Sequence, residues 1–160
     1  MQQLITNVSE VTDVLNLMEK WWFNETDTPH KDEDVNLKLV RNKIDIVRHK
    51  IIANNFYSSW RQFFIQVGGI MIRINTLNQK GMDYTKFGEF LLRKHQSYGA
   101  EPFADWREVA ILMRLGSKIA RLINLEEDPD INTNNESFQD TFKDVIGYCV
   151  LGYYIDRLKK

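Results

Sequence analysis

Apolar residues recur along this chain every three or four positions, in runs separated by short polar stretches. That is the spacing of amphipathic helices rather than of strands. Val11, Val14, Leu15, Met18 and Trp22 follow Ser9, a residue suited to capping, and predict a first helix to about Phe23. A polar stretch from Asn24 to Asp32, containing Pro29, ends it. Leu37, Val40, Ile44, Val47 and Ile51 predict a second helix from about Asp34 to Ala53. Ser58 or Ser59 can cap a third, to about Asn78, with a stripe of Trp60, Phe63, Phe64, Val67, Ile70, Met71, Ile74 and Leu77. Gly68-Gly69 weakens that helix while permitting close approach of another backbone. Asp83 can cap a fourth helix, through Phe87, Phe90 and Leu91 to about His95. A fifth runs from about Asp105 to Leu125, and a sixth from Glu136 to about Leu158. Alternating strand patterns are essentially absent, so the expected fold is all-α, about six helices in a compact bundle. Residues 1–80 are expected to supply core and oligomer contacts and residues 81–160 the candidate site, the two together forming one unit.

Composition narrows the function classes. A formal net charge of -1 removes any general argument for nucleic-acid binding, which normally shows a basic excess. Lys38, Arg41, Lys43, Arg48 and Lys50 decorate the second helix, but Asp32 to Asp34 and Asp45 dilute them. The single cysteine, Cys149, sits amid apolar residues and reads as a buried inert thiol. No apolar run approaches the eighteen or more residues of a membrane span, and the N-terminus carries no basic-then-apolar signal, so the expectation is a cytoplasmic protein. Aromatic residues make up 12% of the chain, more than a six-helix monomer readily hides, which points to a dimer through the N-terminal helices.

The chemistry concentrates near the end of the chain. Glu136, Asp140 and Asp144 recur every four residues and would stack along one helix face. The same face continues through Tyr148, Leu151 and Ile155, so it starts acidic and ends apolar. The fifth helix carries Arg107, Arg114, Lys118 and Arg121 within about 40° of one direction. One short loop joins the two helices, so an antiparallel hairpin is expected, with Arg121 toward Asp140 and Lys118 toward Asp144. The pairing leaves two readings open: an interhelical salt-bridge ladder, or a pocket in which carboxylates hold Mg²⁺ and the basic residues hold phosphate.

The order Lys94, Tyr98-Gly99, then Arg114, Lys118, Arg121-Leu122, then Glu136-Ser137, Asp140-Thr141, Asp144, Tyr148 resembles the nucleotide-modification-associated domain, type 1, of bacteriophages and bacteria. The resemblance covers roughly Phe87 to Tyr154. That family is similar in style to MazG-type pyrophosphohydrolases. What it implies is an all-helical protein of nucleotide metabolism, in which Mg²⁺ held by Glu136, Asp140 and Asp144 activates a water against a nucleoside triphosphate. Glu136 or Asp140 would then be catalytic. Lys94, Arg114, Lys118 and Arg121 would neutralise phosphate charge, and Tyr98 could stack on a base. The paired glutamates of MazG-type enzymes have no counterpart; Glu89 and Glu108 stand in the corresponding region. The competing expectation is a non-catalytic helical protein that sequesters a nucleotide or binds a host protein.

Overall fold

The structure, a computed structural model, describes residues 5–24, 34–54, 57–78, 81–98, 107–128 and 137–157. They form six helices: α1 (Val8–Asn24), α2 (Leu37–Asn54), α3 (Trp60–Asn78), α4 (Tyr84–Tyr98), α5 (Arg107–Glu127) and α6 (Phe138–Arg157). The protein is an all-α bundle, with no strand among the described residues. No helix among them is long and apolar enough to cross a membrane.

Short polar side chains set where the helices begin, and three starts differ from the sequence expectation. Asn7, not Ser9, caps α1: its Oδ1 accepts the N–H of Glu10 at 3.0 Å, and Glu10 Oε1 accepts the Asn7 N–H at 3.2 Å. This reciprocal pair satisfies two orphan donors at once, which Ser9 could not do without a glutamate three residues on. Ser9 instead donates its hydroxyl to Asn7 Oδ1 at 2.6 Å. In α2 the cap is Asn36, whose Oδ1 accepts the Leu39 N–H at 3.0 Å, so the helix starts later than Asp34. Asp83 caps α4 as anticipated, accepting the Lys86 N–H at 3.0 Å, but the helix continues to Tyr98 rather than stopping near His95. In α6 the cap is Ser137, whose Oγ accepts the Asp140 N–H at 3.0 Å. The helix therefore begins at Phe138, and Glu136, taken from the sequence as its first residue, lies outside the described residues.

Helix α6 runs between α3 and α5; α1 packs on α3 and α4, and α2 on α5. One core draws on all six helices, with Leu15, Ile44, Phe64, Leu91, Ile119 and Val145 among its buried members. Residues before and after position 80 share it, so neither half has a core of its own. The Gly68-Gly69 step does what its lack of side chains suggests. A Cβ on Gly69 would lie 2.8 Å from the Met18 carbonyl oxygen and 2.9 Å from the Trp21 ring, so α1 and α3 meet closely there. At the other end of α1, the Tyr154 hydroxyl donates to the Glu10 carbonyl oxygen at 2.6 Å, tying α6 to the first turn of α1. Leu77, read as part of the α3 stripe, is 42% exposed because it falls in the last turn of that helix, past the packed region.

The exposed large hydrophobics among the described residues are Leu17, Ile46, Ile52, Leu77 and Met113, all aliphatic. Trp60, Phe63 and Phe64 are buried and pack ring on ring, while Trp21, Trp22, Tyr57, Phe138, Tyr148 and Tyr153 are only partly buried against the core.

Helices α1 and α4 share a polar contact at Tyr84, which is hydrogen-bonded to Glu19. Burial, then the adjacent carboxylate charge and hydrogen bond, push the Tyr84 hydroxyl up from 10.0 to about 12. An acid whose folded-state value is raised stabilises the fold fully below its unfolded value and loses that contribution as pH rises toward the folded one. Between about pH 10 and 12 the wild type should therefore lose stability that Tyr84→Phe never had. Denaturant midpoints measured across that range should fall less steeply in the variant.

Candidate functional site

Asp144 lies in the second turn of α6, where the helix turns from its polar start toward its apolar end. Its side chain is only 10% exposed, and two ammonium groups from two other helices close on it. Lys118 of α5 places Nζ 3.3 Å from Oδ2, and Lys94 of α4 donates to Oδ1. The antiparallel arrangement of α5 and α6 is what brings Lys118 opposite Asp144, in the register anticipated from the sequence. Lys94 was not anticipated as its partner. It arrives because α4 crosses the same end of α6, where a Cβ on Gly147 would touch Leu91 at 3.0 Å. The lysines keep 35% and 23% of their side-chain surface, so solvent reaches both while the carboxylate between them is nearly closed off.

The other candidates fall in different places. Asp140 is exposed in the first turn of α6. Arg114 is exposed and Arg121 partly buried, one turn before and just under one turn after Lys118 on α5. Glu136 and the Tyr98 side chain lie outside the described residues, as does the side chain of His95. Of the eight residues singled out, the structure joins Lys94, Lys118 and Asp144.

A divalent metal does not fit the described donors. Both Asp144 oxygens are engaged by ammonium groups, which a cation would have to displace. No three of the His, Cys, Asp and Glu side chains gather among the described residues. Mg²⁺ needs hard oxygen ligands in near-octahedral array, and one carboxylate already neutralised by two lysines offers little of that. Cys149 is wholly buried, and burial pushes its thiol far above the usual range, which accords with an inert core residue.

Some of the surroundings were not singled out in the sequence. The Lys143 Nζ lies 5.6 Å from the centre of the Phe90 ring. The Lys94 Nζ lies 5.3 Å from that same ring, so Phe90 borders the ion cluster. Apart from the cluster, Glu108, named from the sequence only as a carboxylate in the region of the missing glutamate pair, is 5% exposed in the first turn of α5. Its spacing to Ile111, Leu112 and Leu115 puts it on the apolar stripe, and that phase could have flagged it in the sequence.

The fold and this junction define the molecule as an all-α bundle with a charged meeting point of three helices. No family model, curated protein or solved structure matches the chain.

Proposed function

We propose that the junction of α4, α5 and α6 binds the phosphate chain of a nucleotide, using Lys94 and Lys118, without hydrolysing it. The observation that carries this reading is the convergence of two ammonium groups from different helices on one nearly buried carboxylate. Both cations remain within reach of solvent. Ammonium groups are compact charges that suit phosphate oxygens, and Asp144 fixes their positions before a ligand arrives. Arg114 and Arg121 lie on the same helix as Lys118, one turn before it and just under one turn after it. The choice of a nucleotide over other anions rests on the resemblance of the residue order to the nucleotide-modification-associated family.

Isothermal titration with nucleoside triphosphates, with and without Mg²⁺, tests the proposal. Binding by the wild type should weaken about tenfold to a hundredfold in Lys118→Met, the loss expected for one charge-assisted hydrogen bond. If no nucleoside triphosphate binds, the cluster is an interhelical tie, and a host-protein binder is the reading left. Pyrophosphate release in Mg²⁺ that disappears in Asp140→Asn would replace the binding reading with a hydrolytic one.

A further inference from the structure

Beside the ion cluster lies a hollow of about 590 Å³, between the end of α3, the start of α4 and the start of α6. Its size falls within the range of small-molecule sites. Phe87 and Phe142, each 4% exposed, form apolar walls with the half-buried Phe90. Asn75 and Gln139 bring two side-chain amides to the same lining, and Lys143 brings a positive charge. Neither amide has a hydrogen-bond partner among the described residues, and each can both donate and accept.

Phe90 links this hollow to the cluster described above. It lines the hollow, and both Lys143 and Lys94 approach its ring, while Lys94 also holds Asp144. A ligand filling the hollow would thus have its polar end beside Lys143 and Lys94. From this we infer that the hollow is the base subsite of the nucleotide site, resting on the phosphate reading given above. The ligand that meets these walls is a flat ring with donors and acceptors on its edge and an anionic tail: a nucleoside phosphate. The ring lies against Phe90, its edge meets Asn75 and Gln139, and the tail runs over Lys143 and Lys94 toward Lys118. Aromatic faces accept any base, whereas paired amides select among base edges.

The two readings separate when nucleoside triphosphates are compared with inorganic triphosphate by titration calorimetry on the full chain. At least one nucleoside triphosphate should bind about tenfold or more tightly than triphosphate, in line with stacking of one base. Gln139→Ala and Phe90→Leu should each remove most of that ratio. Gln139 is exposed, so its truncation does not threaten the fold, and thermal unfolding of both variants checks this. Equal affinity for triphosphate and every nucleoside triphosphate in the wild type would overturn the base subsite and leave the phosphate reading standing. A ratio unchanged in both variants would overturn it as well. If inorganic triphosphate fails to bind, the phosphate reading falls, and the base subsite falls with it.

Discussion

Truncating Phe64 to alanine is expected to lower the free energy of unfolding by about 3–5 kcal/mol. The ring has no exposure and lies where α3 meets α6. It stacks on Trp60 with centroids 5.8 Å apart and meets Phe63 at 5.3 Å. On the facing helix Gly152 has no side chain because the ring occupies that space. A Cβ there would come within 2.5 Å of it. Removing the ring leaves a cavity that rigid helix backbones on both sides cannot fill, so the cost adds a cavity term to the lost burial. Against a total of about 5–15 kcal/mol for a typical domain, that is a large share. Urea unfolding should show a lower midpoint with an unchanged slope. A second measurement isolates the contact: Gly152→Ala should cost about 1–3 kcal/mol in the wild type and clearly less in Phe64→Leu, where the shorter side chain gives way. A loss below about 1 kcal/mol for Phe64→Ala would mean that the two helices are not held through this ring.

Asp144→Asn is expected to separate two properties that a structural ion pair would keep together. Stability should fall by about 1–2 kcal/mol, since two partly buried ammonium groups lose their counter-charge while solvent screens part of the penalty. Affinity for triphosphate should rise, by about tenfold at low salt, because the carboxylate competes with phosphate for the same cations. Two unit charges some 4 Å apart interact by roughly 1–4 kcal/mol between the dielectric of water and that of a protein surface, enough for that change. The amide is nearly the same size and keeps one oxygen to accept from a lysine, so the geometry is largely retained. If Asp144 instead served as a metal ligand for a Mg²⁺-bound nucleotide, the same substitution would weaken binding. Calorimetry at fixed ionic strength reads the sign, and urea unfolding reads the stability.

The helices were legible in the sequence because a helix buried on one side needs apolar residues at a 3.6-residue period, and α1, α2 and α3 carry that stripe. Lys118 opposite Asp144 was legible too, since a short connection leaves two successive helices little choice but to pack antiparallel. The start of α6 was misread. A run of acids every four residues looks continuous with a helix, but Ser137 caps it and the helix begins at Phe138. Capping is a contest between adjacent polar residues, and single-residue preferences of similar strength do not decide it.

Two things belonged to the chain alone: its all-helical character and the alignment of α5 with α6, both set by local periodicity and loop length. Tertiary packing decided the rest. It sent Lys94 from a helix some fifty residues earlier onto Asp144, left Asp140 in solvent, and opened a hollow behind Phe90. Such placements depend on crossing angles set by side chains distant in sequence, such as Leu91 against Gly147 and Phe64 against Gly152. No local pattern records them.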